Sequence, residues 1–225
     1  MKYFSGPDPG FPYLNENQRF LFPDPLNVDG DIVAVGGNLS PGMLLSAYEQ
    51  GIFPWFNPDD PVLWQSPDPR CVIFPQKLHI SRSMQKILNR GDFDIALDTD
   101  FDGVIRNCKE IKRPGQKGTW ISPDIIAGYS ELYRLGYAHS AESRKDGILT
   151  GGCYGLLLGN VFCGESMFAK VSNASKAAFL TLAEYFFYER GIQFIDCQVP
   201  TDHLLSLGGE VISRKEFLRL LNKHL

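Results

Sequence analysis

No stretch of the 225-residue chain is apolar for long enough to cross a membrane, and no apolar run follows Met1-Lys2 that would read as a signal peptide. Turn-forming Ser5-Gly6-Pro7-Asp8-Pro9-Gly10 comes at once instead. A cytoplasmic protein without membrane contact is therefore expected. Metal-binding patterns are lacking too. The five cysteines (Cys71, Cys108, Cys153, Cys163 and Cys197) are odd in number and show no C-x-x-C spacing, so neither a disulfide framework nor a zinc site is indicated. Asp98, Asp100 and Asp102 alternate as calcium ligands can, but the glycine and the closing glutamate of an EF-hand loop are missing. Asp100 reads instead as the cap of a helix over residues 101–108. No metal is expected. A basic excess is also absent: 22 Lys and Arg stand against 26 Asp and Glu, a net charge of −4. That argues against a general nucleic-acid coat and leaves room only for small, directional contacts. There is no internal repeat and no low-complexity segment.

What is present is 44% hydrophobic residues, ample for a buried core. Residues 148–199 organise the rest. Residues 148–158 and 161–168 form two strands around the tight turn Gly159-Asn160. Asn173 or Ser172 then caps a helix with Ala174, Ala177, Ala178, Leu182 and Phe186 at helical spacing, and Gly191 stops it. Residues 192–199 return as a buried strand with Asp196 and Gln198 alternating on one face. A helix joining two strands implies a parallel crossover, whose carboxyl end is where open α/β sheets hold ligands.

Upstream, residues 32–35 read as a short strand, and Ser40, Pro41 and Gly51 bracket a helix over 41–50 with Leu44, Leu45, Ala47 and Tyr48 on its apolar side. Phe53, Trp55, Phe56 and Trp64 follow among prolines, either as a satellite cluster or as a wall for an apolar ligand. The rigid turn Ser66-Pro67-Asp68-Pro69 divides a small domain, 1–69, from a larger one, 70–225. Residues 71–74 read as a strand, and Ser81 caps a helix to Arg90 on which Arg82, Lys86 and Arg90 recur every four residues. By itself such a stripe is a solvated face. Lys109, Lys112, Arg113 and Lys117 make a basic loop, and Ser122-Pro123 opens a helix that Gly136 ends. Residues 137–143 form a strand that turns at Lys145-Asp146-Gly147. After residue 199, Thr201 caps a short helix, 210–212 add a strand, and Ser213 caps an amphipathic terminal helix. His139 and His203 are expected to be structural. The whole is α+β.

Several motifs in one order carry a resemblance. Gly36-Gly37-Asn38-Leu39-Ser40-Pro41, Gly51-Ile52-Phe53-Pro54-Trp55-Phe56 and Trp64-Gln65-Ser66-Pro67-Asp68-Pro69-Arg70 come first. Gly164-Glu165-Ser166-Met167-Phe168, Asn173-Ala174-Ser175-Lys176 and Ile195-Asp196-Cys197-Gln198-Val199 follow. Together they resemble the bacterial leucyl/phenylalanyl-tRNA–protein transferase family over roughly residues 22–220. Gln65 departs from the family's second tryptophan, as do Asn38, Ser143-Arg144 and Ala169-Lys170 from its usual residues, but none of these touches Asp196 or Gln198.

The resemblance implies a small N-terminal domain and a C-terminal N-acetyltransferase-like mixed sheet with flanking helices. It implies an enzyme that moves leucine or phenylalanine, and methionine less well, from aminoacyl-tRNA to the α-amine of proteins beginning with arginine or lysine, marking them for degradation. A monomer without cofactor is expected. Asp196 and Gln198 are carried over as the catalytic pair, Asp196 either as base or as the group that orients the amine. Trp55, Trp120, Tyr129, Phe162, Glu165 and Met167 are carried over as substrate-binding, with Glu165 meeting the terminal adenosine or the donor's amino group. Beside a tRNA substrate, Arg82, Lys86 and Arg90 become the leading candidates for phosphate contacts. The competing readings are a coenzyme A-dependent acetyltransferase, a tRNA-dependent cell-wall peptide aminoacyltransferase and a non-catalytic tRNA- or degron-binding module. Against coenzyme A, the turn at residues 169–174 has no glycine to cradle a pyrophosphate.

Overall fold

The protein is described by a computed structural model covering residues 5–111 and 118–225. Lys112, Arg113 and Lys117 of the expected basic loop lie outside the described residues. The first unit holds β1 (Ile32–Val35), α1 (Pro41–Glu49), β2 (Phe53–Pro54) and β3 (Leu63–Gln65), with the strands antiparallel in the order β1-β3-β2. Proline fits the first turn of α1 because its missing N–H would have no helical partner there. The helix is buried from Pro41 to Tyr48, all round and not on one side as expected. Gly42 permits this, since a Cβ there would lie 2.4 Å from the Asn15 carbonyl oxygen. Ser40 starts the helix but does not cap it with its side chain; its hydroxyl donates to Asn38 Oδ1 at 2.7 Å.

The second unit runs β4 (Arg70–Ile73), α2 (Arg82–Arg90), β5 (Asp94–Leu97), α3 (Phe101–Glu110), α4 (Pro123–Arg134), β6 (Ala138–Lys145), β7 (Ile148–Leu158) and β8 (Val161–Ala169). It continues through α5 (Ala174–Glu184), a π-helical turn (Tyr185–Glu189), β9 (Phe194–Gln198), α6 (Asp202–Ser206), β10 (Glu210–Ile212) and α7 (Arg214–His224). The seven strands lie in the order β10-β4-β9-β8-β7-β6-β5, antiparallel except for β8 and β9. The expected crossover β8-α5-β9 is thus present, in a mixed α+β fold. Side-chain caps start most helices: Ser81 accepts from Met84 N, Asp100 from Gly103 N, Ser122 from Ile125 N, Thr201 from Leu204 N and Ser213 from Glu216 N. Each such cap is worth about 1 kcal/mol. Asn173 does not cap α5 through its side chain; it adopts a left-handed conformation, φ 70°, and Ala174 N bonds Val171 O at 3.1 Å. Strands β2, β3 and β5 were not expected from the sequence.

Alternation splits the sheet's two faces between two apolar clusters. Val72, Cys163 and Phe194 point into a cluster shared with α1, α3, α4, α7 and the first sheet. Ile73, Phe162 and Ile195 point into the other, with α5 and Met84 of α2. Phe53, Phe56 and Trp64 are buried in the first cluster, so they are core and not the wall of a ligand site. The first cluster spans both units, and Arg214 adds polar contacts between them, donating to Gly30 O at 2.8 Å and Ser66 O at 2.7 Å.

Candidate active site

Strands β8 and β9 pair only from Val161↔Phe194 to Cys163↔Asp196. Beyond that point their carboxyl ends line a pocket of about 430 Å³. Cys153, Phe162, Met167, Phe179 and Leu204 give it an apolar wall, and Glu165, Gln198 and His203 supply polar groups, with Trp120 beside them.

Glu165 and Gln198 reach each other because both strands bulge. On β7 and β8, Tyr154 faces Ser166 while Gly155 faces Gly164, which leaves Glu165 unopposed in the ladder. Gly155 is required there, since a Cβ would lie 2.1 Å from the Cys163 carbonyl oxygen. On β4 and β9, Cys71 faces Gln198 while Val72 faces Asp196, so Cys197 is the extra residue. Such bulges re-aim side chains. Gln198 consequently has φ 62°, a left-handed conformation that costs a non-glycine residue about 1 kcal/mol or more. Its Nε2 donates to Glu165 Oε1 at 2.9 Å.

Tyr129, buried on α4, donates to Glu165 Oε2 at 3.0 Å. Its hydroxyl also bonds that of Tyr48, buried on α1. A chain of hydrogen bonds therefore runs from the first unit into the pocket. Burial pushes the Glu165 carboxyl up to about 7; the Tyr48 and Tyr129 hydroxyls pull it back, Asp196 raises it further and Gln198 opposes that. Burial, then the charge of Glu165, holds both tyrosines well above the usual phenol range, so they keep their protons and donate.

Asp196 lies elsewhere than expected. It is fully buried, and it does not share a face with Gln198 or line the pocket, because the bulge breaks the alternation between them. Arg70 Nε donates to its Oδ1 at 2.8 Å and Nη2 to its Oδ2 at 2.6 Å, with the guanidinium over the rings of Phe217 and Phe53 at 4.2 and 4.9 Å. The Gln198 N–H donates to Asp196 Oδ1 at 2.9 Å. Asp196 thus holds the backbone turn that aims Gln198.

Of the other expected residues, Trp120, Phe162, Glu165 and Met167 line the pocket and Tyr129 stands behind it. Trp55 does not line it and is 42% exposed. Arg82, Lys86 and Arg90 are exposed on α2, which packs on α5, and Arg90 is engaged by Asp92 at 3.0 and 2.5 Å. Tyr48, Arg70 and His203 were not anticipated as site residues. By sequence Tyr48 reads as part of an apolar helix face and Arg70 as the end of a turn; a lone buried-strand aspartate is the one signal that a cation must be close by. Among the described residues, no group of three or more His, Cys, Asp or Glu gathers to hold a metal ion.

Comparison with known proteins identifies the family. The sequence model of the leucyl/phenylalanyl-tRNA protein transferase matches residues 72–222, and that of the N-terminal domain of the same transferase matches residues 37–68. A leucyl/phenylalanyl-tRNA–protein transferase of Myxococcus xanthus is 49% identical over 209 residues, covering 92% of this chain and 89% of that protein. One of Flavobacterium johnsoniae is 51% identical over 202 residues, covering 89% and 95%. A solved GCN5-related N-acetyltransferase from Kribbella flavida is 11% identical, covers 77% of this chain and 62% of that chain, and superposes with a TM-score of 0.40. On the strength of the two family matches and these relatives, the chain belongs to the leucyl/phenylalanyl-tRNA protein transferase family of enzymes.

Proposed function

We propose that the chain transfers leucine or phenylalanine, and methionine less well, from aminoacyl-tRNA to the α-amine of proteins that begin with arginine or lysine, committing them to degradation. Aminoacyl transfer from tRNA to protein is the family's reaction. The observation that carries the reading is a pocket in which an apolar wall of Phe162 and Met167 adjoins a carboxyl group poised near neutrality. A hydrocarbon side chain suits the wall. The reaction at its mouth suits Glu165.

In the proposed step, the acceptor's nitrogen attacks the ester carbonyl carbon, a C–N bond forms and the C–O bond to the terminal ribose breaks. An α-amine has a reference pKa of roughly 7.7–8.0, so a usable fraction is neutral near pH 7. Glu165 takes the proton released by the nitrogen and returns it to the departing ribose oxygen. A base matched in this way contributes about 10²–10⁴-fold. Gln198 gives its N–H to Glu165, which leaves its carbonyl oxygen to accept from the incoming amine. Asp196 acts through Gln198 as a positioning residue. Positioning of the two reactants supplies roughly 7–11 kcal/mol of barrier lowering, the larger share. Arg82 and Lys86 are proposed to meet tRNA phosphates, and Trp55 to meet substrate outside the pocket.

The same reading takes the protein as a cytoplasmic monomer with its division at residues 69/70; no described helix is long and apolar enough to cross a membrane. The test is transfer of radiolabelled leucine or phenylalanine from charged tRNA to a peptide beginning with arginine, beside an otherwise identical peptide beginning with glycine. Label on the first peptide alone is expected. Label on neither, from folded protein, overturns the reading.

A further inference from the structure

His203 lies on α6, away from the Glu165 network, and its role follows from what it touches. Its Nε2 is 3.3 Å from the Sδ of Met167, and both residues line the pocket. A thioether sulfur only accepts, so the contact is a hydrogen bond in the tautomer that carries its proton on Nε2. Burial, then the charge of Lys176, lowers the His203 pKa, which favours the neutral ring with one N–H.

Two features hold the backbone of α6, which carries the ring, in place. Thr201 Oγ1 accepts from Leu204 N at 3.2 Å and fixes the start of α6. Just past its end, His79 N bonds Leu207 O at 3.0 Å, and a Cβ on Gly208 would lie 1.8 Å from the Lys77 carbonyl oxygen. The turn is flush against residues 77–79, so α6 has no room to shift toward them. Methionine, by contrast, has three rotatable side-chain bonds and readily refills a cavity in several shapes. A fixed donor on a flexible wall residue selects one of those shapes.

We infer that His203 is a specificity-determining residue: by holding the Met167 thioether it sets the shape of the wall against which the donor's hydrocarbon side chain packs. The inference rests on the transferase reading and adds to it a residue that acts through Met167 on donor choice. His203 need not touch the reacting atoms.

The experiment compares leucyl- and phenylalanyl-tRNA as donors to a peptide beginning with arginine, in wild type, His203→Phe, His203→Gln, Met167→Leu and the double variant His203→Phe/Met167→Leu. Phenylalanine keeps the ring but loses the N–H, and glutamine places an N–H near the position of Nε2. Loss of one modest hydrogen bond should raise the donor KM or shift the leucine-to-phenylalanine ratio of kcat/KM by about 3- to 10-fold in His203→Phe. His203→Gln should restore the ratio to within about twofold of wild type, and His203→Phe should have little effect in the Met167→Leu background. A ratio and KM unmoved in His203→Phe, or a full effect persisting without the sulfur, overturns the inference. Met167→Leu reads the same contact from the other side if the His203 variants fail to fold; an unmoved ratio there also overturns it. Absence of transfer by wild type with either donor overturns the transferase reading itself, a separate result.

Discussion

Replacing Asp196 by asparagine separates its two possible roles. Arg70 and Asp196 side chains are each 1% exposed and doubly hydrogen-bonded. Asparagine keeps the shape but removes the charge, and its amide N–H would face the donors of a guanidinium that remains charged. Breaking a buried pair in this way costs about 3–5 kcal/mol. In a chain of this size each kcal/mol moves Tm by about 2–4 °C, so the variant should melt roughly 6–20 °C below wild type. Its turnover should fall by well under about 100-fold, with the acid limb of its pH profile moved slightly to lower pH, because the Asp196 charge that helps to raise Glu165 is gone while Glu165, the proposed proton acceptor, remains. Circular dichroism melts and transfer kinetics across pH provide the two readings. The double variant Arg70→Met/Asp196→Leu sharpens them, since well-packed apolar residues can recover stability that a broken ion pair loses. That variant should regain much of the Tm yet stay slow, as nothing then holds the Gln198 N–H. An Asp196→Asn protein that melts within about 2 °C of wild type and has lost the pH dependence of turnover would refute this reasoning and make Asp196 the base.

Glu165→Gln should flatten the pH dependence of stability. The folded pKa of about 7 lies above the ordinary 4.5, so the stabilising contribution of the protonated group is complete below pH 4.5 and is lost as pH rises through 7. Across that window wild type should lose roughly 3 kcal/mol that the glutamine variant keeps, seen in melts at pH 5 and 8, while its turnover drops about 10²–10⁴-fold. Tyr48→Phe removes a hydroxyl that holds the Glu165 carboxyl down. The acid limb of kcat/KM should therefore move to higher pH, with about 1 kcal/mol of stability lost; a limb that stays in place argues against the relay. Lys86→Ala should lower the salt slope of tRNA binding by roughly 0.7–0.9, and Arg90→Ala by less, because Arg90 is already paired with Asp92; equal slopes would remove α2 from the tRNA surface.

Local chemistry was legible in the sequence wherever a few neighbouring residues decide the outcome. Ser81, Asp100, Ser122, Thr201 and Ser213 each cap the helix expected of them, and the Asp146-Gly147 turn joins β6 to β7 with both residues at positive φ. The β8-α5-β9 crossover also follows from periodicity. What could not be read is whatever depends on a partner far along the chain. Arg70 and Asp196 are 126 residues apart, and Tyr48 and Tyr129 are 81. The all-round burial of α1 comes from packing by segments that carry no periodic signal, such as the loop carbonyl of Asn15 against Gly42.

The bulges show why the failure of one simple rule coincides with the site. Strict alternation would turn Asp196 and Gln198 to one face and would leave Glu165 in step with the rest of β8. An extra residue at Cys197 instead sends Asp196 to Arg70 and Gln198 to Glu165, while the one at Glu165 releases that side chain from the ladder. Each irregularity has a local cost, and each has a group in place to offset it: the Asp196 carboxylate accepts the Gln198 N–H, and Gly155 makes room for the Cys163 carbonyl. The carboxylate that the sequence marks most clearly is held in a buried ion pair, and the one left with partial access, raised toward neutrality, is the one proposed to exchange a proton. Since Tyr48 reaches that carboxyl through Tyr129 from α1, the acidity of the site depends on how the first unit is seated, and changes in the α1 core should be felt in the pH profile before they are felt in substrate binding.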